Sequence, residues 1–193
     1  ERKNSDLVHA LGRLEQSQRE ITRQNRELQV LATRDPLTGS LNRRSLFDGM
    51  ATLLNEAADE GEPLSCIMVD IDHFKSINDT HGHEAGNKAI VLVANVITRL
   101  IRNTDVAARY GGDEFIILLT EADASQAEEI GRRIRNSIYN TTLDHQGRMI
   151  RVAASLGIAV YPRDGSDYRE LMSNADREMY SNKELSKASV ATE

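Results

Sequence analysis

Acidic side chains border two apolar runs of the chain. Asp70 and Asp72 end the run "CIMVDID", and Asp113 and Glu114 precede the run "FIILL". In a strand, Asp70 and Asp72 alternate to the same face. Carboxylates that converge raise one another's pKa, so either these acids spread into solvent or a cation lies among them. Oxygen ligands without cysteine or histidine suit Mg²⁺ or Mn²⁺ with bound phosphates better than zinc.

The segment "HFKSINDTHGHEAGN" lies between the two acidic pairs. Phe74 and Lys75 follow the predicted strand, where free backbone N–H groups and a lysine can bind phosphate oxygens. Asn78 and His83 are predicted on a glycine-bearing turn, and an ordinary loop with local hydrogen bonds is the alternative. The pattern is therefore compatible with a phosphate-binding loop but does not require one.

The apolar patterns predict a β-α-β-β-α-β order followed by a helix. Asn42 is predicted to cap a helix that runs toward residue 58. The later predicted elements are a strand at "LSCIMVDIDHF", a helix from 83 or 84 to about 102, strands at 105–109 and 115–120, a helix at 123–139, a long strand at "MIRVAASLGIAVYP" and a helix from 168 to about 187.

This order is that of the ferredoxin-like split βαβ fold, an α+β antiparallel sheet with flanking helices, which we expect on one face. In such a sheet the first strand lies beside the central hairpin, so Asp70 is expected to meet residues 111–114. Gly111 and Gly112 are expected to make a tight turn there, because glycine accepts positive φ.

Residues 1–32 have a different pattern. Apolar residues repeat every seven positions, with polar residues in the alternate core positions of the same heptad. This register places Leu7, Leu14, Ile21 and Leu28 at d and Leu11, Gln18, Asn25 and Ala32 at a. A polar residue at a favours a parallel dimer, so we expect a dimeric coiled-coil stalk. A single amphipathic helix docked on its own domain is the alternative.

Composition limits the class of protein. The chain has 39% hydrophobic and 28% charged residues and a net charge of −6, which argues against broad nucleic-acid binding. No apolar run approaches the length of a membrane span, and no secretory signal opens the chain. The single cysteine, Cys66, is expected in the core, which suits a reducing cytoplasm. Because the first residue is Glu1, we expect a piece of a longer protein with an upstream sensory domain or membrane anchor.

Four motifs share one resemblance. "DPLTGSLNRR", "DIDHFKSINDTHGHEAGN", "RYGGDEF" and "ADREMYSNK" occur in the order and spacing of the GGDEF-domain diguanylate cyclases, over about residues 34–187. The chain resembles that family, whose catalytic domains have a nucleotidyl-cyclase, palm-like sheet. The resemblance implies a stalk at 1–32, a catalytic domain at 33–188 and a tail at 189–193. It also implies condensation of two GTP molecules, one on each of two facing protomers, into cyclic di-GMP and two pyrophosphates.

The resemblance assigns the acids to catalysis and metal binding. Asp70 and Asp113 are implied to bind Mg²⁺ or Mn²⁺, assisted by the backbone carbonyl of Ile71. Glu114 is implied to bind metal and to help deprotonate the attacking ribose 3′-OH. Lys75, at a phosphate-loop position, completes the implied catalytic group.

The resemblance also implies a nucleotide site. Its positions are Phe74, Lys75, Asn78, His83, Asn87, Gly111, Gly112, Lys183 and Lys187. Asn87 departs from the family, which usually has Asp there to accept hydrogen bonds from guanine. Because an amide offers one acceptor and one donor group, we expect weaker guanine binding or relaxed base selection. Lys187 stands where arginine is common and replaces a bidentate fork with a point charge.

The stretch "RNTD" suggests a second site. Arg102 and Asp105 match the RxxD motif at which family members bind cyclic di-GMP as an inhibitor. By pattern alone, a helix-end arginine paired with a nearby aspartate would be favoured. The fixed offset from Gly111 favours the inhibitory site. Two other functions stay open: a catalytically weak module that binds cyclic di-GMP or GTP, and a cyclase with relaxed base selectivity.

Overall fold

The structure is a computed structural model that describes the backbone of residues 2–190 and the side chains of residues 12–185. It divides into two compact units, one ending at Arg34 and the other beginning at Asp35. No helix in the described part of the chain is apolar enough over a sufficient length to span a membrane.

The first unit is a single helix, α1 (Arg2–Thr33). Three heptad positions with described side chains, Leu14, Ile21 and Leu28, are 64%, 55% and 63% exposed. Leu7 and Leu11 lie outside the residues whose side chains are described. The surface of α1 also carries ion pairs within the helix, such as Arg23 with Glu27 at 3.5 Å, and such pairs stabilise helices modestly. The helix therefore presents an apolar stripe on an otherwise charged surface.

The second unit alternates strands and helices. Its elements are β1 (Leu41–Asn42), α2 (Arg43–Glu60), β2 (Leu64–Ile71), α3 (Phe74–His81), α4 (His83–Leu100), β3 (Val106–Arg109), β4 (Glu114–Thr120), α5 (Ala124–Asn140), β5 (Thr142–His145), β6 (Arg148–Arg151), β7 (Ala154–Tyr161) and α6 (Tyr168–Val190). The predicted cap of α2 is confirmed, because Asn42 accepts a hydrogen bond from the Ser45 amide at 2.9 Å.

The main sheet has the order β1-β3-β4-β2-β7. Strand β2 pairs antiparallel with both β4 and β7, β3 pairs antiparallel with β4, and β1 adds a parallel edge to β3. Without β1, this is the strand order of the split βαβ fold, so the predicted α+β fold class is confirmed. The register places Asp70 directly opposite Glu114.

Helices cover both faces of the sheet. On β2, Ile67 and Val69 face the core formed with α4 and α5, whereas Cys66 and Met68 face the core formed with α2 and α6. The expectation of helices on one face was therefore wrong, because α2 and α6 lie outside the split βαβ unit. Burial on both faces explains why β2 reads as a continuous apolar run. Cys66 is fully buried as expected, and burial raises the pKa of its thiol to about 12.

Two local predictions were wrong. Residues 74–81, expected as a loop, form helix α3, which follows a left-handed residue at His73. The long strand expected at 149–162 is two strands, β6 and β7, and β6 instead pairs with β5 in a separate hairpin. That hairpin turns at Gln146 and Gly147, which both have positive φ. Positive φ at both turn residues is the geometry of a tight two-residue hairpin, which "HQGR" signals only weakly.

Candidate active site

Helix α6 packs directly against strand β7 at Gly157. A Cβ atom at this position would lie within 3.0 Å of backbone atoms of Ala175 and Met179, closer than real side chains approach. A residue with a side chain would therefore push α6 away from the sheet. Because α6 carries Lys183, the glycine sets how closely that lysine approaches the strand ends.

Side chains of α6 bond to the open edge of β7. Glu178 accepts a hydrogen bond from the Ile158 amide at 2.9 Å, and Asn182 donates one to the Leu156 carbonyl at 2.8 Å. An edge strand leaves such groups unpaired, and here the helix satisfies them. These bonds fix α6 along β7 and orient Lys183, the next residue after Asn182.

Lys183 forms an ion pair with Asp70 at the end of β2. The two side chains are 24% and 13% exposed, so the pair is largely screened from solvent. On the neighbouring strand, Glu114 lies opposite Asp70, and the Asp113 carbonyl accepts a hydrogen bond from the Ile71 amide at 3.3 Å. Residues far apart in sequence therefore converge at one sheet edge.

The converging acids perturb one another. Burial raises the pKa of Asp113 above its ordinary value, and the negative charge of Asp70 raises it further. Burial also raises the pKa of Glu114, with further contributions from Asp70, Asp113 and Asp176. These directions are those expected of carboxylates that share a site. Asp176 on α6 was missed by sequence reasoning, although its seven-residue spacing from Lys183 places both on one helix face.

Asp72 does not join this group through a free carboxylate. Its side chain accepts a hydrogen bond from the Ser155 hydroxyl at 2.7 Å, and its amide donates to the Ala153 carbonyl at 2.9 Å. The alternation that predicted a shared face with Asp70 applies within a strand, and β2 ends at Ile71. Asp72 therefore ties the end of β2 to the start of β7.

The signature turn, residues 111–114, is closed by backbone bonds and shaped by sterics. The Glu114 carbonyl accepts hydrogen bonds from the Tyr110 amide at 2.8 Å and the Gly111 amide at 3.3 Å. A Cβ atom on Gly111 would lie within 3.0 Å of the Glu114 carboxylate. Neither Gly111 nor Gly112 has a positive φ, so the expectation that these positions need glycine for a positive-φ turn was wrong. Gly111 instead leaves room for the Glu114 side chain.

Arg109 holds the turn from one side. Its guanidinium donates to the Gly112 carbonyl at 3.2 and 2.7 Å and pairs with Asp35 at 3.1 Å. Burial opposes ionisation of Asp35, but hydrogen bonds from Thr38 and the contact with Arg109 bring its pKa below the ordinary value. Sequence reasoning missed this pair, although an arginine immediately before the signature motif and the aspartate of "DPLT" were visible signals.

Asn78 of α3 lies against Gly86 of α4. A Cβ atom at Gly86 would lie within 3.0 Å of the Asn78 amide and 3.2 Å from the Phe74 ring. Among the described residues, the buried Asn78 Oδ1 atom has no hydrogen-bond partner, and such an acceptor calls for an explanation. The side chains of Lys75, His83 and Asn87 in the same segment are exposed.

The RNTD turn, residues 102–105, is held by an aspartate side chain, whereas the signature turn is closed by backbone bonds. One Asp105 oxygen accepts a hydrogen bond from the Arg102 amide at 2.7 Å, and the other accepts from the Thr120 amide at 3.2 Å. The carboxylate therefore ties the turn to the end of β4. The Arg102 side chain is exposed. The Lys187 side chain, assigned to the nucleotide site, lies outside the described residues.

The donor set suits a divalent cation held partly by substrate. No three His, Cys, Asp or Glu side chains among the described residues form a ready-made metal cluster. Mg²⁺ commonly binds through only one or two carboxylates, with substrate phosphates and waters completing its shell. Asp70, Asp113 and Glu114 supply hard oxygen ligands. The pKa of the latter two is raised first by burial and then by neighbouring negative charge, and a cation would offset the second cause.

A sequence model described as "Diguanylate cyclase, GGDEF domain" matches residues 32–189. The chain belongs to this GGDEF-domain family. Diguanylate cyclase A of Treponema denticola is 40% identical over 131 residues, which cover 68% of this chain and 35% of that protein. The probable diguanylate cyclase DgcT of Escherichia coli is 36% identical over 162 residues, which cover 83% of this chain and 35% of that protein. The chain thus spans about a third of the length of these two curated GGDEF relatives.

A solved GGDEF structure shares the architecture. The coiled coil and GGDEF domain of DgcB from Caulobacter crescentus, in complex with c-di-GMP, matches with a TM-score of 0.78 at 31% identity. The match covers 90% of this chain and 93% of that chain. The fold of this GGDEF domain is therefore shared by a solved relative of similar extent.

Proposed function

We propose that this GGDEF domain is a diguanylate cyclase that condenses two GTP molecules into cyclic di-GMP and two pyrophosphates. The observation that carries the proposal is the convergence of Asp70, Glu114 and Lys183 where the end of β2 lies beside the start of β4. Phosphoryl transfer depends mainly on positioning and on neutralising phosphate charge, and this edge combines anionic and cationic groups in one place.

In the proposed reaction, Glu114 accepts the proton of a ribose 3′-OH as the oxygen attacks the α-phosphorus of the facing GTP. A P–O bond to pyrophosphate breaks as the new phosphodiester bond forms, and the same exchange on the other protomer closes the ring. The raised pKa of Glu114 makes it a stronger base than an ordinary carboxylate. Asp70, Asp113 and the Ile71 carbonyl would hold Mg²⁺ or Mn²⁺, which supplies charge neutralisation for the phosphates when bound.

The remaining residues bind nucleotide in this proposal. The Asn78 Oδ1 atom, which lacks a partner among the described residues, accepts from an N–H group of guanine. Phe74, Lys75 and His83 line the same segment. Gly111 and Gly112 let the backbone approach the nucleotide, and Lys183 and Lys187 bind the triphosphate. Lys183, which pairs with Asp70 in this structure, would turn to phosphate oxygens when GTP is bound, and Asp70 would then be free to hold a divalent cation.

Regulation is proposed at two places. Because each half-site holds one GTP, two domains must face each other, and the exposed heptad residues of α1 support a parallel dimer. An upstream sensory domain would act by changing that pairing. Arg102, with an exposed side chain, would bind cyclic di-GMP as an inhibitor. Asp105 would assist through the lone pairs that its two backbone hydrogen bonds leave open.

The test is to incubate the full chain with GTP and Mg²⁺ and to measure pyrophosphate release and product mass. We expect cyclic di-GMP, no product with EDTA, and recovery with added Mg²⁺ or Mn²⁺. Asp113→Asn is expected to be inactive, and Glu121→Gln, an exposed acid beyond the other end of β4, serves as the matched control. Tight binding of GTP or cyclic di-GMP without turnover would contradict the cyclase proposal and indicate a catalytically weak binding module instead.

Asn87 supports a second candidate, a cyclase with relaxed base selection. Its amide presents both a donor and an acceptor, and its exposed position on α4 adjoins Gly86 and the Asn78 contact. An equimolar mixture of GTP and ATP is expected to give some adenine-containing product with the wild type. Asn87→Asp is expected to reduce that product, and identical nucleotide preference in the two proteins would contradict this candidate.

A further inference from the structure

Two successive residues form the base of the signature turn and point in opposite directions. Arg109 ends β3, and its guanidinium reaches Asp35. Tyr110 instead packs with the core that α2 and α6 form on one face of the sheet. Alternation along an extended chain produces this divergence. The turn is therefore held at its base by two unrelated segments.

The Tyr110 ring lies in a cluster of aromatic and cationic side chains. The Arg43 guanidinium carbon is 4.6 Å from the ring centroid, and the same group donates to the Tyr110 hydroxyl at 3.4 Å. The Phe47 ring contacts Tyr110 edge-on at 6.1 Å and Tyr168 at 6.0 Å. Both distances fall in the range of favourable aromatic pairs. The cluster connects the turn to the start of α2 and the start of α6.

The Tyr110 backbone carries this placement into the turn. Its amide donates to the Glu114 carbonyl at 2.8 Å. The next two residues, Gly111 and Gly112, have no side chains with which to anchor themselves. The position of Glu114 therefore depends on how Tyr110 and Arg109 are held as well as on the pairing of β4 with β2.

The identity of residue 43 is otherwise unexplained by the fold. Arg43 is exposed, and its described contacts are with the Tyr110 and Phe47 rings and the Tyr110 hydroxyl. Arg44, the next residue, is equally exposed and has no such ring contact among the described side chains. The pair provides a natural comparison within one turn of α2.

We propose that Arg43 and Tyr110 are positioning residues that hold the signature turn so that Glu114 stands at the β2–β4 edge during the reaction. This inference rests on the proposed cyclase function. Arg43 acts through the Tyr110 ring and does not touch the substrate. In the proposed site the guanine base is bound by α3 and α4, whereas Glu114 acts in the chemical step, so the larger expected consequence falls on that step.

The first test compares Arg43→Met with Arg44→Met and Arg43→Lys in the full chain. We expect Arg43→Met to lower kcat by about three- to tenfold, as loss of a cation–π contact and slight misplacement of the turn imply. Its KM for GTP should change less than its kcat, and its Tm should stay near that of the wild type. Arg43→Lys is expected to restore much of kcat, and Arg44→Met to change neither constant. An unchanged kcat in Arg43→Met, or a loss matched by unfolding, would overturn the inference.

The second test needs no activity. Amide hydrogen exchange of residues 110–116 is measured without nucleotide in the same variants. Arg43→Met is expected to speed exchange in this stretch but not in β2, and Arg44→Met is expected to leave both unchanged. Equal exchange in Arg43→Met, Arg44→Met and the wild type would contradict the positioning role. An inactive wild type with the expected exchange pattern would contradict the proposed function alone and leave the positioning contact supported.

Discussion

The signature turn and the RNTD turn both present aspartates where function was expected, but the fold uses those acids in opposite ways. Asp105 accepts two backbone N–H groups and thereby closes its turn and ties it to β4. Asp113 and Glu114 instead lie among other carboxylates, and burial and mutual repulsion raise their pKa values. One acid stabilises the fold, and the other two are kept despite an unfavourable electrostatic setting.

The difference shows how an acid can be assigned to folding or to function. A carboxylate with both oxygens bonded to the backbone has a sufficient structural reason to be present. Carboxylates held against one another have none in the isolated domain, and such groups concentrate at functional sites. Within the RNTD turn, the exposed Arg102 side chain is therefore the clearer candidate for ligand binding.

The largest expected effect is on the signature turn. Glu114→Gln should lower turnover by about 10²- to 10⁴-fold, because an amide cannot accept the ribose proton. It should not lower Tm, because the substitution removes a charge that other acids repel. Pyrophosphate release and thermal unfolding of the same preparations check both statements. If Glu114→Gln lost stability instead, the distinction between the two turns would fail.

Asp105→Ala should have the opposite effect to Glu114→Gln, lowering stability rather than turnover. Two backbone N–H groups lose a charged acceptor, so we expect the free energy of unfolding to fall by about 1–3 kcal/mol. Denaturant unfolding of Asp105→Ala, Asp105→Asn and the wild type measures this loss, and Asn should recover part of it because its carbonyl still accepts. Equal stability of the three proteins would contradict a structural role for the two hydrogen bonds that Asp105 accepts.

Arg102→Ala should separate ligand binding from folding in the RNTD turn. Arg102 bonds to Asp105 through backbone atoms, its amide donating and its carbonyl accepting, and Ala keeps both, so Tm should not change. If the exposed guanidinium binds cyclic di-GMP, the inhibitory product concentration should rise about tenfold, as loss of a charge-assisted contact implies. Arg99→Ala is the matched control on α4, and equal product inhibition in both variants would remove Arg102 from the proposed site.

The smallest effect concerns pH. Because the folded-state pKa values of Asp113 and Glu114 are raised above 3.8 and 4.5, the folded state binds more protons than the unfolded state just above those values. The contribution of these two groups to the free energy of unfolding is therefore fully present at low pH. It falls as pH rises through their raised folded-state pKa values.

Thermal unfolding in EDTA between about pH 4 and pH 7 checks this sign. The Tm of Asp113→Asn should rise relative to that of the wild type as pH rises. Added Mg²⁺ should reduce this difference in Tm, because the cation stabilises the wild type. If the Tm of Asp113→Asn fell relative to that of the wild type with rising pH in EDTA, the upward direction of the Asp113 pKa shift would be contradicted.

Much of the architecture could be predicted because it is carried by local patterns. The run "CIMVDID" and the run "FIILL" predicted two adjacent strands, and split βαβ topology predicted that Asp70 meets residues 111–114. The structure places Asp70 directly opposite Glu114. The Asn42 cap and the burial of Cys66 followed from residue types and their immediate neighbours. The nucleotide, metal and inhibitory assignments came from the family resemblance and stay predictions.

Contacts between distant segments could not be read in the same way. The Lys183–Asp70 pair joins residues 113 positions apart, and the Arg109–Asp35 and Arg43–Tyr110 contacts join residues 74 and 67 apart. Periodicity specifies which face of an element is buried but not which residue of another element it meets. Helix coverage of both sheet faces was missed for this reason, whereas the break between β6 and β7 was missed because the turn signal at "HQGR" is weak.

By itself, the sequence determined most element types, the fold class and the presence of neighbouring acids at the ends of β2 and β4, because hydrophobic period and turn chemistry are local properties. Only the tertiary structure decided which acids at the predicted sites are bonded and which are not. Gly157 admits α6 close to β7 and brings Lys183 to Asp70, while Asp105 is occupied by backbone donors. Such choices depend on close packing between elements, where one Cβ atom or one amide direction determines the outcome.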